Sequence, residues 1–223
     1  MRRFRYGART LLCKLSVTIA LIGGVAQAET VTIAALGDSL TAGYGLRNGD
    51  GFVPQLQAWL DGQGADAVLI NAGVSGDTTA GGLARTDWTL TPDVDAVMIA
   101  LGGNDYLRGL DPAVSRANLD GILAKVDVAD VDALLIGLTA GANYGVDYQD
   151  AFNGMYPALA LTYDVALYPT FFAGLIAAAK TQDQVAEFMQ ADGIHPNPDG
   201  VSLIVAAMGP AVLALIAQVR RGE

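Results

Sequence analysis

The fold of this chain is decided by residues 31–40, VTIAALGDSL. The first six residues form an almost unbroken apolar run, and Gly37-Asp38-Ser39-Leu40 follows it directly. Continuous apolarity, rather than alternation, is typical of a strand that is covered on both faces, as in a parallel sheet. We therefore predict a buried strand of a parallel sheet, with a polar turn at its carboxyl end.

Four further apolar runs predict the rest of this sheet. They cover Ala67–Asn71, Ala96–Leu101, Ala133–Leu138 and Val165–Tyr168. Helical spacing of apolar residues lies between them and predicts helices at Phe52–Leu60, Pro112–Val126, Tyr148–Ala160 and Asp199–Arg220. Strands that alternate with helices predict the α/β class, here a flavodoxin-like, doubly wound, three-layer α/β/α domain around a five-stranded parallel sheet.

Residues 1–28 have the features of a secretory signal peptide. Five basic residues lie before or beside the apolar stretch Leu15–Val25, and AQA at residues 26–28 fits the small-x-small cleavage pattern. The apolar stretch is too short to span a bilayer, which needs about 20 residues. We predict cleavage after Ala28, export to the periplasm, and a single mature domain over residues 29–223.

Charge and cysteine content exclude several functions. Residues 1–28 hold five of the 13 basic residues and none of the 23 acidic ones, so the mature chain carries a net charge of about −15. Nucleic acids and anionic membrane surfaces repel such a chain. The only cysteine, Cys13, lies in the leader, which leaves the mature domain no thiol for a disulfide, a nucleophile or a metal site. No later stretch has the length and apolarity of a membrane helix, so we expect no stable membrane insertion. We also expect a monomer.

The one histidine of the chain, His195, has a setting that favours catalysis. Asp192 precedes it by three residues, and Pro196 and Pro198 restrict the loop. A carboxylate at that spacing can contact the imidazole and fix its tautomer, and a serine such as Ser39 can then act as a nucleophile. Each residue also has an ordinary interpretation, because a serine at a strand-to-helix corner often caps the helix and a lone histidine can be an exposed loop residue.

Two more polar loops follow the second and third predicted strands and would meet Ser39 at the carboxyl ends of the strands. Gly73 lies in the first loop and Asn104 in the second. A glycine N–H and an asparagine amide are suitable donors for the oxyanion of acyl transfer. The alternative is that Gly73 only permits an unusual backbone conformation and that Asn104 caps a turn.

Four blocks together resemble the SGNH hydrolases, the superfamily also called GDSL esterases and lipases. In chain order the blocks are Gly37-Asp38-Ser39-Leu40, Gly73, Gly102-Gly103-Asn104-Asp105 and Asp192-Gly193-Ile194-His195-Pro196. The resemblance implies that Ser39 is the nucleophile and that His195 and Asp192 complete a catalytic triad. It also implies that Gly73, Asn104 and the backbone N–H of Ser39 bind the oxyanion.

Residues 71–78 and 142–145 are similar to one branch of this superfamily, the exported bacterial thioesterases, arylesterases and lysophospholipases. The resemblance implies hydrolysis of aryl esters, acyl-CoA-like thioesters and lysophospholipids through an acyl-enzyme, with no cofactor and no metal. Leu138–Gly141 departs from the expected polar or proline-containing loop, which concerns the substrate rim. Two alternatives remain open: a polysaccharide O-deacetylase on the same fold and a non-catalytic periplasmic binding module.

Several residues near the four blocks have two interpretations. The apolar ones could line an acyl groove, although such side chains lie more often in the core; they are Tyr106, Leu107, Leu110, Tyr144, Phe171 and Phe172. Asp38, Asp77 and Asp105 are expected to hold the loops through backbone N–H groups rather than to touch the substrate.

The four blocks contain no basic residue, which suits uncharged acyl groups better than phosphates. Since the chain has one histidine, we expect one ionisation in the acid limb of the pH profile.

Overall fold

A parallel sheet of five strands forms the centre of the structure, a computed structural model that describes residues 29–179 and 181–222. The strands are β1 (Val31–Gly37), β2 (Ala67–Gly73), β3 (Ala96–Ala100), β4 (Asp132–Ile136) and β5 (Ala166–Tyr168). Their order is β2-β1-β3-β4-β5, and every neighbouring pair is parallel. This confirms the predicted five-stranded α/β architecture. The predicted signal peptide, residues 1–28, lies outside the described residues.

Helices pack in two groups, one on each face of the sheet. They are α1 (Ser39–Ala42), α2 (Phe52–Gly62), α3 (Thr79–Thr89), α4 (Gly103–Leu107), α5 (Pro112–Val128), α6 (Val146–Tyr163), α7 (Ala173–Ala178), α8 (Gln182–Glu187) and α9 (Pro198–Gly222). Helix α5 contacts both α3 and α6, whereas α9 contacts both α2 and α7. The four helices that the sequence predicts are present as α2, α5, α6 and α9, and α3 is the longest of the others. Its sequence, TAGGLARTDWT, has two glycines and little apolar periodicity, so it carries a weak helical signal.

The middle strands are buried on both faces as predicted, but the expectation is wrong for the edge strand β2. Val68 and Ile70 are 50% and 42% exposed, because one face of β2 has no helix over them. The free edge is covered instead by a side chain of α2. Gln57 Nε2 donates to the Ala67 carbonyl (2.9 Å), and Gln57 Oε1 accepts from the Leu69 N–H (2.8 Å). An amide that pairs with the edge in this way blocks addition of another strand.

Helix α9 corrects another expectation. By length and composition it could cross a membrane, contrary to the prediction that no stretch after the leader has this character. About half of its apolar window is buried in the fold, where its inward face includes Val201, Ile204 and Met208. Its apolar composition is therefore explained by packing against α2 and α7 in the core.

The sheet order places the functional loops. The chain leaves β1 toward β2 on one side and later returns to β3 on the other side of β1. Such a switch point opens a crevice at the carboxyl ends of the strands. Gly37 pairs there with Gly73 of β2 and with Ala100 of β3, so the loops after these three strands start side by side.

Candidate active site

Ser39 lies at a sharp corner between a buried strand and a short helix. Asp38 caps this helix: its Oδ1 accepts a hydrogen bond from the Leu40 N–H (3.0 Å). Gly43 ends it with φ +80°, a left-handed conformation that favours glycine, and its N–H donates to the Ser39 carbonyl (3.1 Å). Ser39 is therefore held from both sides by backbone geometry, with its side chain free to face the crevice.

His195 is presented by a loop that is built from its own hydrogen bonds. Asp192 Oδ1 accepts from the N–H groups of Ile194 (2.9 Å) and His195 (3.0 Å), while Oδ2 lies 2.7 Å from Nδ1 of the imidazole. Nε2 of the same ring lies 2.8 Å from Ser39 Oγ. The structure thus brings the three residues of the predicted triad into one continuous line of contacts, across 156 residues of chain between serine and histidine.

A residue that the sequence did not single out joins this loop to the serine corner. Gln190 Nε2 donates to the carbonyls of Tyr44 (2.9 Å) and Pro196 (3.0 Å), and its backbone N–H donates to the His195 carbonyl (2.7 Å). The Tyr44 ring also packs against the imidazole, with 4.8 Å between ring centroids. The imidazole therefore rests on the same loop that follows the nucleophile.

The pKa values of two aspartates in the site are shifted in opposite directions. The N–H of His195, its imidazole and the N–H of Ile194 lower the pKa of Asp192 to about 2, so this side chain is a carboxylate at neutral pH. Burial raises the pKa of Asp38 to about 6, against the smaller lowering effects of the Leu40 N–H, His195 and Asn104. Asp38 is only 2% exposed. Asp38 therefore titrates in the mildly acidic range, so the expectation of one ionisation from a single histidine is incomplete.

Asn104, at the start of α4, reaches the crevice from the β3 side. Its Nδ2 donates to the Asp77 carbonyl (2.9 Å) and lies 3.4 Å from Asp38 Oδ2. The amide is part of the lining of the cavity that also contains Ser39 and His195. Asn104 is thus one of the residues around the cavity at Ser39.

Gly73 has a different environment from the one expected of an oxyanion donor. Its N–H donates to Asn71 Oδ1 (3.0 Å), and it is not among the residues that line the cavity at Ser39. A Cβ at this position would lie 2.3 Å from the Ala42 nitrogen, so the close approach of α1 to β2 requires glycine. The oxyanion role of Gly73 stays a prediction, and it requires the N–H to leave Asn71.

The other loop aspartates are held partly as expected. Asp105 is buried and accepts from the Thr79 N–H (2.8 Å) and from the hydroxyls of Thr79 (2.6 Å) and Ser115 (2.9 Å). The carboxylate of Asp77 instead pairs with a side chain, since Arg85 Nε donates to its Oδ2 (2.6 Å). The backbone interaction that the sequence predicts for Asp77 is therefore replaced by an ion pair.

The triad opens into an apolar cavity of about 220 Å³. Apart from Thr139 and the polar groups already described, the side chains of its walls are apolar, namely Leu40, Tyr106, Leu107, Leu138, Phe152, Phe172 and Ile194. A second apolar cavity of about 290 Å³ shares Thr139, Phe172, Gly193 and Ile194 with the first. Of the groove candidates, Tyr106, Leu107 and Phe172 thus border the site. Phe171 belongs to the core, where its ring centroid lies 5.0 Å from that of Phe52.

A larger cavity, of about 570 Å³, lies away from the triad, at the amino ends of β3 and β4. It is bordered by Asp95, Asp127 and Asp132. It contains neither the serine nor the histidine. Among the described residues, no group of three or more His, Cys, Asp or Glu side chains is arranged to hold a metal ion. A serine hydroxyl, an imidazole and a carboxylate converge at the smaller cavity instead.

Comparison with known proteins agrees with this geometry. Residues 35–203 match the model of the GDSL-like lipase/acylhydrolase family. The chain is 41% identical to esterase TesA of Pseudomonas aeruginosa over 82% of this chain and 88% of that protein. It is 36% identical to thioesterase 1/protease 1/lysophospholipase L1 of Escherichia coli K12, over 86% of both chains.

Solved structures show the same likeness. The crystal structure of AlinE4, an SGNH-hydrolase family esterase, aligns with a TM-score of 0.67 at 44% identity, over 84% of this chain and 97% of that one. The matched region contains the serine corner, both polar loops and the histidine loop. The chain belongs to the GDSL-like lipase/acylhydrolase family, the SGNH hydrolases.

Proposed function

We propose that this protein is a serine hydrolase that cleaves carboxylic esters and thioesters through an acyl-enzyme on Ser39. The observation that carries the proposal is the line of contacts from Asp192 through His195 to Ser39, which opens into an apolar cavity. An isolated serine hydroxyl is a weak nucleophile, and a neighbouring base held by a carboxylate is the arrangement that activates it.

The reaction proceeds in two half-reactions. Ser39 Oγ attacks the acyl carbonyl while His195 Nε2 takes the hydroxyl proton, and the Asp192 carboxylate stabilises the resulting imidazolium. The imidazolium then gives that proton to the leaving alcohol or thiol as its bond to the acyl carbon breaks. Water attacks the acyl-enzyme with His195 again as base, which releases the carboxylic acid and restores Ser39.

Donors for the oxyanion come from two elements beside the serine. One donor is the N–H of Ser39, at the start of α1. The other is the side-chain amide of Asn104, which keeps its bond to the Asp77 carbonyl and exchanges its 3.4 Å contact with Asp38 Oδ2 for the oxyanion. A third donor from the loop after β2 is Gly73, once its N–H leaves Asn71.

The apolar lining of the cavity favours apolar acyl groups over the acetylated sugars of a polysaccharide O-deacetylase. Arg85 and Arg108 do lie beside the site loops, but each donates to backbone carbonyls there, at Gly37 and Gly76 respectively. The names of three relatives, an esterase, a thioesterase/protease/lysophospholipase and an arylesterase, support aryl esters, acyl thioesters and lysophospholipids as candidate substrates. The proposal includes export to the periplasm after cleavage at Ala28, and a monomer.

Hydrolysis of p-nitrophenyl butyrate, an acyl-CoA and a lysophospholipid by residues 29–223 tests the proposal, with Ser39→Ala as the matched variant. We expect turnover by the wild-type protein, resistance to EDTA, and a loss of about 10⁴–10⁶ in kcat for Ser39→Ala with the fold intact. Mass spectrometry after treatment with a fluorophosphonate should find the label on Ser39. A wild-type protein that binds esters without turnover or labelling is the binding module, and the proposal is then wrong.

A further inference from the structure

A charged side chain that is not part of the predicted triad lies behind the site loops. Arg85, on α3, makes three contacts with three separate segments. Its Nη2 donates to the carbonyl of Gly37 (2.8 Å), its Nη1 to the carbonyl of Ala72 (2.6 Å), and its Nε to Asp77 Oδ2 (2.6 Å). No sequence block contains this arginine, and the proposed reaction does not use it.

Each of the three acceptors lies next to a group that the reaction needs. The Gly37 carbonyl ends β1, two residues before the nucleophile. Ala72 is one residue before the end of β2, where the candidate donor loop begins. Asp77 is the residue whose backbone carbonyl receives the amide of Asn104 (2.9 Å). The guanidinium therefore links the serine strand to the loop on which the Asn104 amide rests.

The chemistry of the contacts requires an arginine. A guanidinium presents five N–H donors in a fixed plane and can satisfy a carboxylate and two carbonyls together, whereas a lysine ammonium is a compact point charge on a flexible stem. Arg85 and Asp77 are both largely buried, with side chains 22% and 19% exposed. The Gly37 carbonyl also accepts from the Val74 N–H (3.0 Å), so a backbone bond and the guanidinium together tie this loop to the end of β1. Removing the arginine leaves the Asp77 carboxylate without its cation and takes a donor from each of the two carbonyls, so we expect the loop to rearrange beyond Val74.

We infer that Arg85 is a positioning residue for the oxyanion side of the site: it holds the loop after β2 against the end of β1, and so sets the distance between Asn104 and Ser39. The inference rests on the proposed ester hydrolysis. It assigns Arg85 no contact with the substrate. Its effect is transmitted through the carbonyl of Asp77 to the Asn104 amide.

The test compares Arg85→Ala and Arg85→Lys with Asp87→Asn. The last variant is a matched control, because Asp87 lies on the same helix and pairs with Lys125 (2.7 Å) at the surface. A displacement of about 1 Å in catalytic geometry lowers rates about 100-fold. We therefore expect kcat for p-nitrophenyl butyrate to fall about 10- to 100-fold in Arg85→Ala while KM changes less than about threefold. Asp87→Asn should match the wild type, Arg85→Lys should be intermediate, and added guanidinium ions should partly restore Arg85→Ala.

A double-mutant cycle with Asn104→Ala identifies the route of the effect. If Arg85 acts through Asn104, the loss in kcat of the double variant is smaller than the product of the two single losses. Strictly multiplicative losses, or an Arg85→Ala protein that melts at a lower temperature but keeps its kcat, would overturn the inference. If Arg85→Ala does not fold, Asp77→Asn replaces it in the same cycle, since it removes the ion pair and keeps the carbonyl. A wild-type protein without esterase activity refutes the proposed function itself, whereas active wild type and control with fully active Arg85 variants refute only the positioning role.

Discussion

The serine corner and the histidine loop meet in one site but are built by different means. Ser39 follows a strand whose residues are almost completely buried, so the packing of the core determines its position. His195 lies on an exposed loop in which Asp192 and Gln190 hold the backbone through local hydrogen bonds. The nucleophile thus depends on the whole sheet, whereas the base depends on a few neighbouring residues and two prolines.

The two aspartates show the consequence for electrostatics. Asp38 belongs to the serine corner and is buried, so that desolvation raises its pKa to about 6. Asp192 belongs to the histidine loop, is exposed, and accepts hydrogen bonds that lower its pKa to about 2. Burial at the serine corner makes the charged carboxylate costly, and local hydrogen bonds in the histidine loop make it favourable.

The largest expected effect is on the histidine loop. His195→Ala should lower kcat by about 10⁴–10⁶, because no other base contacts Ser39 Oγ among the described residues. Measurement of kcat for p-nitrophenyl butyrate checks this. A variant that keeps the wild-type rate would place the base elsewhere.

Asp192→Asn should have a smaller but still large effect. Its amide can retain an oxygen for the backbone N–H groups while it loses the charge that stabilises the imidazolium, and we expect kcat to fall by about 10²–10⁴. Because the folded pKa of Asp192 is lowered, its carboxylate contributes stability above pH 4, and this contribution is lost as the pH falls toward 2. Urea unfolding of the variant should therefore show a weaker loss of stability in acid than the wild type. Equal activity of the two proteins would contradict the role of Asp192.

Asp38→Asn tests the serine corner and should change stability in the opposite sense. Between its ordinary pKa of 3.8 and about 6, the folded protein holds a proton on Asp38 that the unfolded chain has lost. The free energy of unfolding therefore falls as the pH rises through this range. Asparagine keeps an acceptor for the Leu40 N–H without a buried charge, so the variant should be more stable than the wild type by about 1–3 kcal/mol at pH 8.

Urea titrations at pH 4 and pH 8 check this prediction. The difference between Asp38→Asn and the wild type should nearly vanish at the lower pH. The same variant also removes the ionisation of Asp38, near pH 6, from the pH profile of activity. An unchanged difference at both values would mean that Asp38 does not carry a buried charge.

The smallest effect concerns the wall between the two cavities, which the histidine loop supplies through Ile194. Ile176 borders the distal cavity and is 54% exposed, so Ile176→Trp should fill that space without disturbing the core. At about 0.8 kcal/mol per buried methylene, blocking two carbons of a long acyl chain lowers kcat/KM about 10-fold. We expect the ratio of p-nitrophenyl dodecanoate to butyrate hydrolysis to fall accordingly, with Val128→Trp, at the far end of α5, as the control. An unchanged ratio would mean that the chain does not enter the distal cavity.

Much of the site could be predicted from the sequence because its chemistry needs particular residue types. Ser39, Asp192 and His195 are identifiable from a serine after an apolar run and a single histidine three residues after an aspartate, and the structure brings all three together. The central strands can also be predicted from the sequence, since burial on both faces requires an almost unbroken apolar run. These signals are local, and each is contained within a few consecutive residues.

Other features were decided only by the tertiary structure. The apolar run of β2 is the same kind of signal as that of β1, yet β2 is an edge strand in which Val68 and Ile70 are exposed, because no further strand pairs with it and one of its faces has no helix over them. Arg85 joins Gly37, Ala72 and Asp77, and the bond to Gly37 spans 48 residues of chain. The N–H of Gly73 donates to Asn71 Oδ1. Burial in the fold raises the pKa of Asp38, which its sequence neighbours do not indicate. The sequence by itself determined which residues carry the chemistry, because reactivity depends on residue type. The tertiary structure decided which of their neighbours hold them and how strongly each is charged, because hydrogen bonds and desolvation depend on distances between segments that are far apart in the chain.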